Sequence, residues 1–213
     1  MTGPVLVVVG PPAAGKTTVG TAVAAALGVP FRDTDADVEA TTGTTVADLF
    51  VQHGEPHFRE LEEAAVARSL AEHEGVLALG GGAVLSAATR RRLVESNDLV
   101  VHLDVATADA LRRVRGGQGR PALKGDPQGN WERLVASGCT VVWLDVDVAS
   151  AAHRVGLSRD RPLLAVNPRA MLRTMLEARA PLYAEVSTVT VPTAGRVIED
   201  VVADVLAAVQ AAA

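Results

Sequence analysis

Val5-Leu6-Val7-Val8-Val9-Gly10-Pro11-Pro12-Ala13-Ala14-Gly15-Lys16-Thr17-Thr18 joins a short β-branched run to a glycine loop. A run of that length without polar alternation predicts a strand covered on both faces, as parallel α/β sheets require. From Lys16 the pattern becomes an alanine-rich helix that stops at Leu27, with Gly28 placed to cap it. The loop therefore reads Gly-x-x-x-x-Gly-Lys-Thr between a strand and a helix, the setting in which that spacing binds phosphates. Small residues let the chain wrap closely, so backbone N–H groups and the helix N-terminus point at an anion. Lys16 would bridge the β- and γ-phosphates, and the Thr17 hydroxyl would ligate Mg²⁺. Gly10, Pro11, Pro12, Ala13, Ala14, Gly15, Lys16, Thr17 and Thr18 are the expected nucleotide contacts. Lys16 and Lys124 are the only lysines, so a lysine inside the loop is not compositional noise.

The rest of the chain repeats the same rhythm. Strands are expected at Val29 to Arg32, Val76 to Leu79 and Thr188 to Val191, and helices around Val46 to Val51, Glu55 to His73, Ser86 to Glu95 and Ile198 to Val209. Alternation of β and α favours one doubly wound domain over 1–213. A length of 213 residues suits a single core. A net charge of -5 gives no bulk attraction to nucleic acid or to an anionic membrane, so the expected partners are small molecules. A single cysteine, Cys139, excludes an internal disulfide framework and fits the cytoplasm. No targeting segment is visible, and Val5 to Val9 is too short to span a bilayer. His53 and His57 have helical i, i+4 spacing, but Gly54 and Pro56 interrupt that helix, so they suggest no metal site.

One internal repeat stands out. Residues 100–123 (VVHLDVATADALRRVRGGQGRPAL) align without a gap with 141–164 (VVWLDVDVASAAHRVGLSRDRPLL), 41 positions on, and 12 of 24 pairs are identical. Leu-Asp-Val, Arg-Val and Arg-Pro all fall in register, which a shared taste for valine and alanine does not explain. Residues 99–139 are thus expected to be a duplicated or inserted strand–helix–lid unit.

Further residues carry chemistry. Asp33 and Asp35 alternate, so in an extended chain one faces a metal and the other an acceptor. The alternative is an acidic helix N-terminus. Arg59 lies three residues before Glu62 on an amphipathic helix, near enough to be oriented by it. Gly80-Gly81-Gly82 ends a strand, where glycine permits either close approach of a ligand or a strained turn. Arg161-Pro162-Leu163-Leu164 reads as a lid, and Arg179 precedes Pro181-Leu182-Tyr183 at the end of a helix.

In this order the Walker loop, D-x-D, F-R-x-x-E, G-G-G, R-P-L-L and R-x-P-L-Y segments resemble the shikimate kinase family. The resemblance spans the chain outside the repeat. It implies a P-loop kinase-type three-layer α/β/α fold with a five-stranded parallel sheet, or six strands if the duplicated segment adds one. It further implies transfer of the ATP γ-phosphate to the 3-hydroxyl of shikimate by a monomer. Asp35 would orient or deprotonate the hydroxyl, with Lys16 and Arg161 completing the catalytic set. Arg59, Gly80, Gly81, Gly82 and Arg179 would hold shikimate, Thr17 and Asp33 the Mg²⁺, and Arg154, Arg161 and Arg196 the nucleotide. Gluconate kinase, or a nucleotide binder impaired by the duplicated lid, are the alternatives.

The family has one strand–helix–lid unit where this chain has two. Copy one carries Arg113 and Arg120; copy two carries Arg154 and Arg161. Only copy two runs on into Arg179, since copy one has Gly138 at the matching position. That continuity favours copy two as the fourth strand and lid, with copy one added at an edge or on the surface. The rival arrangement gives the sheet a sixth strand and makes copy one the lid.

Overall fold

Strand β1 (Leu6–Val9) is the axis of the fold. Its four residues are at most 1% exposed, and they alternate between two cores. Leu6 and Val8 pack with Val19, Val23 and Leu27 of helix α1 (Lys16–Leu27) and with Val201 and Val205 of the last helix. Val7 and Val9 pack on the opposite face with Val66, Leu93 and Tyr183. A strand that is apolar at every position is what a helix layer on each face demands. The computed structural model describes residues 3–12, 14–95, 99–104, 140–144, 168–192 and 196–212.

The other strands are β2 (Phe31–Asp33), β3 (Val76–Ala78), β4 (Leu99–Asp104), β5 (Thr140–Leu144) and β6 (Val189–Pro192). They are joined in parallel in the order β2-β3-β1-β5-β4-β6. The remaining helices are α2 (Thr34–Thr42), α3 (Val46–Glu72), α4 (Ala87–Glu95), α5 (Pro168–Val186) and α6 (Ile198–Ala212). A single turn of 3-10 helix, Ala83–Leu85, follows the glycines. Gly28 ends α1 in the left-handed region, as its position suggested. Within α3 the two helices expected between Val46 and His73 meet at a kink at Gly54, whose φ of 79° and ψ of 169° are not helical and are open to glycine. Thr45 starts it by accepting from Asp48 N at 3.1 Å. Ser86 does the same for α4, through Thr89 N at 3.1 Å.

The repeat is written into the sheet. Copy two supplies β5, directly beside β1, with Val7 opposite Val141 and Val8 opposite Val142. Copy one supplies β4, and its pairs with β5 run Leu99 to Thr140, Val100 to Val141 and Val101 to Val142. Each pair joins a residue to its own repeat equivalent. Val189 of β6 is accordingly partnered by both Val101 and Val142. Copy one's strand is bonded to both β5 and β6, and β5 is itself bonded to β6, so the sheet has the sixth strand of the rival arrangement while copy two keeps the place beside β1.

Candidate active site

The glycine loop turns from β1 into α1 through Gly15, the cap residue, at φ 97°. Lys16 is the first helical residue, and its Nζ donates to Gly10 O at 2.9 Å and Pro11 O at 3.0 Å. The ammonium therefore lies within the curl of the loop. The first turn of α1 carries no acidic residue, so the lysine adds its charge to the positive end of the helix dipole. A cation placed where the helix disfavours it makes a site for a polyanion.

Thr17 and Asp33 meet across this mouth, the Thr17 hydroxyl donating to Asp33 Oδ2 at 3.0 Å. Asp33 Oδ1 accepts from Asp35 N at 3.0 Å, which makes Asp33 the cap of α2. Two oxygen donors side by side at the phosphate end of a P-loop suit a hard divalent cation such as Mg²⁺. The alternation expected of Asp33 and Asp35 is corrected here. The helix begins at Thr34, so the two carboxylates diverge because one caps the helix and the other rides its first turn. The acidic cluster is thus a helix N-terminus, as its alternative reading had it.

Asp35 reaches the glycine turn at the end of β3. A Cβ on Gly80 would overlap Asp35 Oδ1 and Glu62 Oε1, and one on Gly82 would fall inside the Arg59 guanidinium, 2.6 Å from Nη2. On Gly81 it would stand 2.7 Å from Pro12 Cδ and 2.9 Å from Pro12 N. Among the described residues the glycines with positive φ are Gly10, Gly15, Gly28, Gly43 and Gly54, so the triple-glycine turn is not a strained one. Its glycines are there for room. Gly80 N donates to Thr34 Oγ1 at 2.9 Å, which fastens the turn to the start of α2.

Arg59 is held on three sides. Its Nη1 donates to Glu62 Oε2 at 2.6 Å, while Nε and Nη2 donate to Glu55 Oε1 at 3.1 and 2.8 Å. The rings of Phe58 and Phe50 lie beneath it at 5.3 and 5.8 Å. Glu62 is 2% exposed, and its Oε1 has no hydrogen-bond partner. Burial pushes its carboxyl up to about 7, against the pull of Arg59 and with a further push from Asp35. A cavity of about 500 Å³ opens beside this group, with Glu55, Arg59 and Glu62 on one wall and Ala83, Leu85 and Ser86 on the other.

Arg179 arrives from α5. Its Nη1 donates to Gly81 O at 3.0 Å, and Tyr183 OH donates to the same oxygen at 2.7 Å. Arg196 is bound to α6 by an ion pair to Asp204 and by donation to Asp200 O at 3.2 Å. Thr18 lies exposed on the first turn of α1. Ala13, Arg113, Arg120, Arg154 and Arg161 fall outside the described residues, as do Gly138 and Cys139. The His53 and His57 rings are 5.1 Å apart, and no metal-binding group of three is present among the described residues. No helix among them is long and apolar enough to cross a membrane.

Lys16, Thr17, Asp33, Asp35, Arg59, Gly80, Gly81, Gly82 and Arg179 thus gather at the ends of β1, β2 and β3. Sequence reasoning passed over Thr34, Glu55 and Tyr183 in that ring. Glu55 was legible as the i-4 neighbour of Arg59. Tyr183 had its place in the R-x-P-L-Y segment, but nothing local pointed it at Gly81.

A P-loop facing a carboxylate and a pair of guanidinium groups on a parallel sheet defines an ATP-dependent small-molecule kinase. The family model described as Shikimate kinase matches residues 12–137 and again 128–210, two stretches that overlap at the junction between the repeat copies. The shikimate kinase of Salinispora tropica is 46% identical over 204 residues, covering 96% of each chain. That of Frankia casuarinae is 48% identical over 203 residues, covering 95% of this chain and 71% of the relative. The structure of shikimate kinase from Acinetobacter baumannii in complex with shikimate superposes with a TM-score of 0.73 at 28% identity, covering 99% of this chain and 94% of that one. The chain belongs to the shikimate kinase family.

Proposed function

We propose that the chain moves the γ-phosphoryl group of ATP onto the 3-hydroxyl of shikimate, giving shikimate 3-phosphate and ADP on the route to chorismate. The observation that carries this is the convergence of Asp35, Glu62 and Arg59 on Gly80 and Gly82, with Gly81 against Pro12 of the phosphate loop. An anionic polyol needs a guanidinium fork for its carboxylate and a carboxylate for its hydroxyl, set within reach of the phosphates. Arg59 and Arg179 hold the shikimate carboxylate, and Gly80 to Gly82 let the ring lie against backbone. Asp35 accepts the proton of the 3-hydroxyl as its oxygen bonds to the γ-phosphorus and the bridging oxygen leaves with ADP. Lys16 and Arg161 offset the charge on the phosphates in transfer, which is where a phosphotransferase gains most of its rate.

Thr17 and Asp33 would hold Mg²⁺, which would supply neutralisation of the phosphate charge. Arg154 and Arg196 bind the nucleotide. Residues 1–213 act as one domain with 99–139 as the inserted unit, and copy two, beside β1 and continuous with Arg179, provides the working lid. The protein works as a cytoplasmic monomer on small molecules alone, without nucleic acid or membrane.

ADP release coupled to a spectrophotometric readout, with ATP, Mg²⁺ and shikimate, tests the reading. No turnover above background with shikimate would sink it. Turnover with gluconate instead would make the acceptor a sugar acid, and nucleotide binding without turnover would make the chain a binding protein.

A further inference from the structure

We infer that Tyr183 is a positioning residue for the acceptor clamp: its hydroxyl fixes the Gly81 carbonyl on which the Arg179 guanidinium is seated. The inference rests on the proposed role of Arg179 in holding the acceptor carboxylate. Gly81 O accepts from Tyr183 OH at 2.7 Å and from Arg179 Nη1 at 3.0 Å, one donor for each lone pair of a carbonyl. Arg179 and Tyr183 stand one helical turn apart on α5, so both meet the glycine turn from the same face. They differ in how firmly they are anchored. Tyr183 is 1% exposed and packed in the core with Val7, Leu77 and Leu79. Arg179 is only partly buried, on a long flexible stem.

The rigid partner therefore sets the position of the oxygen, and the flexible partner takes its aim from it. Gly81 O engages one of the five N–H groups of Arg179, the one such bond it makes among the described residues, and this contact sets the plane in which the fork meets a carboxylate. Gly81 is also pressed against Pro12, so it has little freedom to follow a wandering arginine. Tyr183 never touches the acceptor; it acts through Arg179.

The test is Tyr183→Phe in the full chain, which keeps the buried ring and leaves Gly81 O one donor. The shikimate KM should rise about five- to tenfold, the loss of one hydrogen bond, with kcat and the ATP KM nearly unchanged. The rise in melting temperature that saturating shikimate produces should shrink alongside, which reads binding without turnover. In an Arg179→Ala background the same substitution should leave the shikimate KM where Arg179→Ala alone puts it. An unchanged shikimate KM in Tyr183→Phe would overturn the inference. So would an equal rise with and without Arg179, or equal rises for ATP and shikimate, because those mark a structural role. Unsubstituted chain that ignores shikimate overturns the proposed function instead, before any variant is compared.

Discussion

Gly82→Ala is the smallest change that separates room from conformation in this site. The glycine sits at φ -107° and ψ -4°, a backbone that alanine adopts freely, so the substitution carries no torsional strain. It should even stiffen the unfolded chain, which offsets destabilisation by about 0.4–1 kcal/mol. The whole burden falls on Arg59. A methyl group there would stand 2.6 Å from Nη2, and closer still to Nη1 and Cζ, where ordinary contact begins at 3.4 Å. The guanidinium must withdraw by about 1 Å or more to restore van der Waals contact. That withdrawal breaks the 2.6 Å bond to Glu62 and misdirects the fork. A misaimed charge-assisted hydrogen bond is worth about 1.5–3 kcal/mol, which predicts a shikimate KM raised roughly 10- to 150-fold. Steady-state kinetics with each substrate varied, next to a thermal melt of the same sample, checks this. Loss of acceptor affinity should appear with an unchanged ATP KM, and the melting temperature should fall modestly as Glu62 loses its buried partner. A Gly82→Ala enzyme with the original shikimate KM, or one that loses stability and both affinities together, would refute the argument from space.

Asp33→Ala removes the cap of α2 and should lower stability by about 1 kcal/mol in a urea titration. It should also raise the Mg²⁺ concentration needed for half-maximal turnover, because the same carboxylate faces Thr17. The Glu62 carboxyl, raised from 4.5 to about 7, takes up a proton on folding, so its contribution is complete below about 4.5 and is lost as pH rises through about 7. Denaturation across that window should show a fall in stability with rising pH that Glu62→Gln flattens; an unaltered slope would mean Glu62 titrates normally. His73 is held below its ordinary value by burial, so its share of stability runs the other way and is lost as pH falls below 6.5. Removing residues 99–139 leaves β5, its pairs to β1 and β6, and Arg179 in one chain, and shikimate-dependent ADP release should survive. Removing 140–180 takes away Arg154, Arg161 and Arg179 and should abolish it. The reverse outcome would make copy one the working unit.

Part of this was legible in the sequence. Val5 to Val9 followed by the glycine loop marked a strand covered on both faces and the turn into α1, because a buried parallel strand and a P-loop each impose a local pattern. Gly28 and Ser86 marked helix ends through their own backbone or side-chain chemistry, while the cap at Thr45 went unread. What stayed hidden depends on distance through space. No local signal tells whether Gly80 to Gly82 are needed for φ or for room, since the answer lies with Asp35, Glu62, Arg59 and Pro12. The divergence of Asp33 and Asp35 turns on a helix starting one residue earlier than an extended reading allows. The place of β4 was illegible for a sharper reason: Val100-Val101 and Val141-Val142 are the same, so neither copy's own sequence says which one pairs with β6, and in the sheet both do.

The register of the repeat makes its two strands redundant. Val189 of β6 pairs with Val101 of one copy and with Val142 of the other. Because β5 already joins β1 to β6, taking copy one away would leave the row from β2 to β6 unbroken. In terms of the sheet the duplication is reversible, since its second strand supplies pairing that the first already provides.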